Sequence, residues 1–145
     1  MNSSRIREEL DARVAHLIFK KEVERTKDVW TYEDWRTSDF PSARNAWGIK
    51  CYGDGEPPHL WVPKYSSDFK LAWDVWNKML ADGWQSLIHP GDSSKVVVEF
   101  FPTSHRHDDP LFSGEHVTLP TAICIAAVAA CGESDKNLKK FSKLT

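Results

Sequence analysis

Apolar residues recur at helical spacing most clearly between residues 67 and 82. Together they give this stretch a broad apolar face: Phe69, Ala72, Trp73, Trp76, Met79 and Leu80. Ser67 and Asp68 stand at its start, where their side chains cap a helix N-terminus well, and Gly83 follows as a favourable C-cap. The pattern predicts a helix over residues 67–82 that packs on a sheet through Phe69, Trp73, Trp76 and Met79.

Two further helices are predicted, one near each end of the chain. Residues 4–26 carry an apolar stripe that begins at Ile6 and repeats at helical spacing. Residues 119–131 are apolar nearly all round, with Pro120 in the first turn, so this helix should be buried and small enough to pack close to a sheet. The basic segment 134–145 contains few core residues, which predicts a frayed helix or a disordered end.

Strands are predicted at residues 45–52, 59–62, 84–89 and 95–101, where β-favouring residues stand between turn residues. Residues 103–117 are predicted as a long polar loop. Residues 27–44 mix aromatic and charged side chains and predict a short strand or an aromatic-anchored loop, in a stretch that looks like an insertion. The order helix-strand-strand-helix-strand-strand-helix predicts an α+β fold, a small antiparallel sheet with helices packed on it, in a single domain over residues 1–133.

Three separated blocks resemble the phage ABA-sandwich domain family, small proteins of phages and prophages. The central block has a Tyr-Ser-Ser-Asp start, an Ala-Trp pair and a Gly-Trp end, at residues 65–68, 72–73 and 83–84. Residues 9–15 resemble the family's opening helix, and residues 120–127 resemble its closing helix. The resemblance implies an ABA-sandwich-like fold and a protein encoded by a phage.

Composition limits the classes of function that remain open. The chain has 145 residues and a formal net charge of −2, which argues against a duplex nucleic acid as partner. No apolar run approaches membrane-spanning length and the first residues lack a signal-peptide pattern, so we expect a cytosolic protein, in the host cytoplasm if the phage origin is correct. The 3 cysteines have no metal-like spacing and are expected to be reduced, and no cofactor is expected.

One polar cluster resembles a metal site, and the sequence offers little for catalysis. His105, His107 and Asp109, with His116, have suitable ligand types, but a solvated loop explains them better because ligands on such a loop lack supporting contacts. No nucleophile elbow, phosphate-binding loop or dinucleotide fingerprint is present. We therefore expect neither a metal site nor an enzyme.

Pairs of aromatic and cationic residues in loops and at strand ends form the strongest candidate site. Rings of this kind stack on nucleotide bases, and guanidinium groups bind phosphates. We expect phosphate contacts from Arg44, Lys64 or Arg106 and stacking on Trp47 and Tyr65. Polar base edges would be contacted by Asn45 or Ser66. For any single residue, a structural role is the simpler explanation.

A more distant resemblance joins the chain to phage anti-Thoeris sponges, through the helix-sheet-helix layout and the Ala-rich last helix that begins near Thr121. It implies sequestration of a cyclic-nucleotide immune signal without catalysis, in pockets between subunits. Those sponges carry arginines in the last helix, whereas residues 125–130 contain none. The alternative is an accessory protein that inhibits a host defence enzyme by direct binding. Self-association is also expected, because residues 67–82 present more apolar surface than one sheet face needs.

Overall fold

The computed structural model describes residues 3–37, 44–103 and 111–144. Within these residues the chain forms five helices and six strands. In chain order they are α1 (Ser3–Leu17), β1 (Val23–Thr26), α2 (Tyr32–Thr37), β2 (Ala46–Lys50), β3 (His59–Trp61), α3 (Phe69–Ala81), β4 (Trp84–Pro90), β5 (Val96–Pro102), β6 (Phe112–His116), α4 (Leu119–Ala130) and α5 (Asp135–Phe141).

The strands of the described residues form two antiparallel sheets of three strands each, in the orders β1-β2-β3 and β4-β5-β6. Helices pack against them, so the predicted α+β class with antiparallel sheets is confirmed. The prediction of one small sheet from four strands is wrong in detail. Each predicted hairpin gains one more strand, β1 beside β2 and β6 beside β5.

Helix α4 is the centre of the core and covers β6 and β5. Its residues from Pro120 to Val128 are all buried, as the pattern in the sequence predicts. Small side chains let the helix approach the sheet, and the closest approach is at Gly114 of β6. Helix α1 lies against α4, so the two ends of the chain share one core.

Helix α3 lies beside α4 and over β4, and its buried face differs in part from the predicted one. Asp68 caps it, with its side chain accepting a hydrogen bond from the backbone N–H of Leu71. Its buried residues are Ala72, Val75 and Met79, while Trp76 packs on Phe100 of β5 at 5.7 Å between ring centroids. Phe69 and Trp73, predicted to pack on the sheet, are exposed, because the face that α3 buries is that of Ala72, Val75 and Met79.

The predicted helix over residues 4–26 is too long. Helix α1 ends at Leu17, and Lys20 adopts a left-handed backbone conformation with φ 58° that stops the helix. The apolar residue Val23 then begins β1 and continues the stripe as a strand. A stripe at helical spacing does not show where a helix gives way to a strand, because Val and Ile suit both.

The predicted polar loop contains a strand, and the segment predicted as a frayed helix or a disordered end contains a helix. Strand β6 lies in the predicted polar loop, and its alternate residues Gly114 and His116 are buried. Helix α5 lies in the predicted tail, and Phe141 and Leu144 are buried in the main core. In the segment 27–44, Trp30 forms a parallel bridge with Leu60 and α2 follows. Residues 38–43 of that segment lie outside the described residues.

Candidate functional site

A cleft of about 440 Å³ lies where α1 meets the end of the first sheet. Its lining comes from α1, from the segments on either side of α2, and from β2 and β3 with the residues that follow β3. The lining residues are Glu8, Asp11, Thr31, Arg44, Trp47, Trp61, Val62 and Lys64. A cleft of this size lies within the range typical of small-molecule sites.

Two indole rings form the apolar part of the cleft. Trp47 is on β2, and Trp61 is the last residue of β3, where it pairs with Gly48. Both residues line the cleft. The guanidinium of Arg25 lies 5.7 Å from the centroid of the Trp47 ring. The Nε1 atom of Trp47 is buried and has no hydrogen-bond partner among the described residues, so a donor at this wall remains unsatisfied.

Two cationic side chains stand in the same cleft. The Arg44 guanidinium donates a hydrogen bond of 2.9 Å to the Glu8 carboxylate, and this contact raises the pKa of Arg44 above its usual value. The pair is exposed, so it is easily exchanged for another anion. Lys64 is exposed, and its amino group has no hydrogen bond or ion pair with the described residues. The cleft therefore offers one cation already paired and one available.

Asp11 forms the buried acidic part of the cleft. Its Oδ1 accepts a 2.8 Å hydrogen bond from the backbone N–H of Ser66. Burial raises the pKa of Asp11 to about 6, and the charge of Glu8 adds to this effect, while the Ser66 hydrogen bonds and Arg7 oppose it. Asp11 thus changes its charge within a pH range that cells reach, at the wall of a cleft.

The structure brings together three of the seven residues predicted for the site, Arg44, Trp47 and Lys64. Asn45 is exposed and is not a lining residue, and its backbone oxygen accepts a hydrogen bond of 3.3 Å from Arg25. Arg106 lies outside the described residues, so its predicted phosphate contact stays a prediction.

The predicted roles of Tyr65 and Ser66 need correction. Tyr65 is buried and its ring stacks on Phe19 at 5.2 Å between centroids, so it is not available to stack on a ligand in the cleft. Burial also raises the pKa of Tyr65 to about 12. Ser66 is fully buried, and its backbone N–H and carbonyl are already bonded to Asp11 and to Arg7. Both residues support the cleft wall from behind.

A second, smaller cavity of about 260 Å³ lies between the starts of α3 and α4, and Arg7 lines it. One nitrogen of the Arg7 guanidinium donates to Thr121 Oγ1 at 2.7 Å and to the Ser66 carbonyl at 3.1 Å. The Thr121 hydroxyl donates to the same carbonyl at 2.9 Å. These bonds tie α1, the segment before α3 and the start of α4 together, which is a structural role.

His116, considered as a metal ligand, has another role. Its Nδ1 accepts from the backbone N–H of Thr118 at 3.0 Å, and its Nε2 donates to the carbonyl of Leu144 at 3.0 Å. Burial lowers the pKa of His116, which keeps the ring neutral in this arrangement. No cluster of metal-binding side chains occurs among the described residues, and His105, His107 and Asp109 lie outside them.

Three residues that line the cleft were not predicted from the sequence: Glu8, Asp11 and Trp61. Asp11 carries a signal, because it lies four residues after Arg7 and three before Val14, on the buried side of α1. A carboxylate on a buried helix face needs a partner or a function. Trp61 had a signal too, since the predicted strands 45–52 and 59–62 are joined by a short turn, which brings the strand of Trp61 beside that of Trp47.

Comparison with known proteins gives no match: no protein-family model matches the sequence, and neither a curated protein nor a solved structure is significantly similar to it. In the part of the chain that the structure describes, no helix is long and apolar enough to cross a membrane.

Proposed function

We propose that the protein is a binding module that captures a small, phosphate-bearing nucleotide in the cleft between α1 and the first sheet, without transforming it. One observation carries the proposal. Two indoles and two cations, Trp47, Trp61, Arg44 and Lys64, come from separate segments of the chain and line one cleft of about 440 Å³. Aromatic rings stack on any base, and cationic side chains bind phosphate oxygens.

The charges of the cleft suit a ligand of mixed character. A phosphate would replace Glu8 as the partner of Arg44 and would also contact Lys64. The Asp11 carboxyl, on the wall of the same cleft, would accept a hydrogen bond from a base N–H or a ribose hydroxyl. A purely anionic ligand fits less well, because two carboxyl groups stand among the lining residues.

The biological setting of this proposal comes from the resemblances given above. A phage-encoded binder in the host cytoplasm that sequesters a nucleotide immune signal, a cyclic one in the sponge comparison, would act against host defence. Such a protein needs affinity and slow release and needs no catalytic group. The cleft of the described residues fits that requirement, because it combines stacking and charge at one place.

Titration calorimetry of the purified protein against a panel of cyclic nucleotides and ADP-ribose derivatives tests the proposal. We expect at least one member to bind with one ligand per cleft, and to be recovered unchanged after heat denaturation. Lys64→Ala should weaken binding about tenfold, as for the loss of one charge-assisted contact, while Lys136→Ala on the exposed side of α5 should not.

Failure of every panel member to bind would contradict the proposal. If a single host enzyme then binds the purified protein and loses activity, inhibition by direct protein contact is the better description. A ligand recovered in chemically altered form would contradict the absence of catalysis.

A further inference from the structure

Strand β4 is an edge of the second sheet, and within it Pro90 protects only the last position. The strand pairs with β5 on one side, and no strand of the described residues pairs with its other side. Natural proteins protect such edges with charged residues, prolines or bulges, because free backbone groups invite another strand. Residues 85–88 (Gln, Ser, Leu, Ile) contain none of the charged residues or prolines, and Leu87 and Ile88 are 55% and 41% exposed.

The two exposed apolar residues of β4 point to opposite faces of the sheet. Ile88 pairs with Val98, which is buried under the helices, so Ile88 lies on the helix side. Leu87 pairs with Glu99 and lies on the other face. The edge is therefore apolar above and below the plane of the sheet.

Helix α3 carries an apolar row on the helix side of the sheet, above the pair of β4 and β5. The row consists of Phe69, Trp73, Trp76 and Leu80. At about 100° per residue, the other three lie within about 60° of Trp76, on the side away from Ala72. Trp76 packs on Phe100 of β5, whereas Phe69, Trp73 and Leu80 are exposed. Trp73 and Leu80 thus face outward beyond β4, on the same side of the sheet as Ile88, while Phe69 also borders the cavity between the starts of α3 and α4.

We propose that β4 and the apolar row of α3 form a dimer interface with a second copy of the chain. The two β4 strands pair antiparallel about a two-fold axis at Leu87, which joins the two sheets into one of six strands. The two α3 helices lie antiparallel above them. The inference is independent of the proposed nucleotide binding, since the cleft lies at the other sheet.

The symmetry of the row argues for a second copy as the partner. Its spacings are four, three and four residues, and this order is the same in both directions. An antiparallel copy therefore places Phe69 against Leu80 and Trp73 against Trp76 at each level. The row and residues 85–88 contain no charged side chain, so self-pairing brings no like charges together.

The lengths of α3 and β4 allow one two-fold axis to relate both the two helices and the two strands of the dimer. The middle of the row lies about 8.5 residues before Gly83, or roughly 13 Å along a helix that rises 1.5 Å per residue. Leu87 lies four residues after Gly83, or roughly 14 Å along a strand that rises about 3.4 Å per residue. Because α3 lies over β4, both midpoints fall at nearly the same distance from the turn.

Sedimentation velocity tests the interface, with circular dichroism to confirm folding. We expect the wild-type protein to sediment at twice its chain mass of 16.6 kDa at micromolar concentration. Leu87→Lys should give a monomer, because it adds a charge to the edge strand. Leu111→Lys, at a similarly exposed leucine next to β6, should remain a dimer. A monomeric wild-type protein, or equal dissociation by both variants, would overturn the inference.

Disulfide trapping tests the register independently of stability. A residue on the two-fold axis meets its own copy, so Leu87→Cys should form a covalent dimer on mild oxidation. Gln85→Cys faces position 89 of the partner, and its own copy lies about 14 Å along the strand, so it should not cross-link. Wild-type protein controls for the native cysteines. Cross-linking at 85 and not at 87 would overturn the proposed axis.

Discussion

Gly114 of β6 lies against the backbone of Ala122 in α4, so closely that a Cβ atom at position 114 would stand 2.4 Å from the Ala122 carbonyl oxygen. The same Cβ would stand 2.6 Å from the backbone nitrogen of Ala126. Both neighbours are backbone atoms, which cannot turn aside as a side chain can. The contact between the last strand and the central helix therefore depends on a missing side chain.

Gly114→Ala should destabilise the protein by about 3 kcal/mol, because α4 must move away from β6 and its other contacts loosen. For a chain of this size the melting temperature should fall by roughly 10 °C. Ser113→Ala, at the exposed neighbouring position, is the matched control and should change little. An unchanged melting temperature for Gly114→Ala would show that the helix and strand are further apart.

The end of the chain should contribute to stability through Phe141 of α5. This ring is fully buried in the main core, so Phe141→Ala should lower the free energy of unfolding by about 3–5 kcal/mol in denaturant titrations. Lys139→Ala, on the exposed side of the same helix, should lie within about 0.5 kcal/mol of wild type. Equal small effects would support the frayed or disordered tail expected from composition.

Asp11 should make the protein less stable as pH rises. Its pKa is about 6 in the folded chain against a usual 3.8, so the folded state holds this proton more tightly than the unfolded state. The stabilisation is complete below about pH 4 and is lost as pH rises through 6. The gap between the two pKa values corresponds to at most about 3 kcal/mol.

Asp11→Asn isolates this effect, because the amide oxygen can still accept from the Ser66 N–H. Relative to wild type, the variant should gain stability between pH 4 and 7 in denaturant titrations at each pH. Asp92→Asn, in the exposed turn between β4 and β5, should follow the wild-type curve. Parallel curves for Asp11→Asn and wild type would contradict the assignment.

The ion pair between Arg44 and Glu8 should compete with any bound phosphate. Glu8→Gln removes the competing charge, so it should tighten binding of the nucleotide found by calorimetry by several-fold. Arg44→Ala should weaken binding by about tenfold or more. Tighter binding with Arg44→Ala would indicate that the cleft prefers a ligand without a phosphate at this position.

The helices at the centre of the fold could be predicted because their signals are local. Asp68 and Gly83 mark the ends of α3, and the small apolar residues of α4 match a helix buried all round. Strand β6 could not be predicted in this way. Its sequence, Phe-Ser-Gly-Glu-His, is typical of a loop, and it becomes a strand because β5 pairs with it and α4 covers its glycine.

Only some residues of the candidate site could be predicted from the sequence. Arg44, Trp47 and Lys64 stand out in the sequence because aromatic and cationic residues alternate near turns. Glu8 and Asp11 join them through the packing of α1 beside the first sheet, a contact between segments about 35 to 50 residues apart. Tyr65 was wrongly assigned to the cleft because an aromatic ring beside a turn can also fill the core. Its ring packs against Phe19.

Three of the bonds that hold α1 in place join it to residues that the ribosome adds much later. Arg7 bonds to Thr121, Arg13 to Glu133 and Glu9 to Lys140, so each partner is made more than 110 residues after the α1 residue that it bonds to. At roughly 5 to 20 residues per second, a ribosome adds these partners about 6 to 25 seconds later. Helix α1 can therefore bond to Arg44 and Ser66 early in synthesis, but its contacts with α4 and α5 form only when nearly all of the described chain has been made.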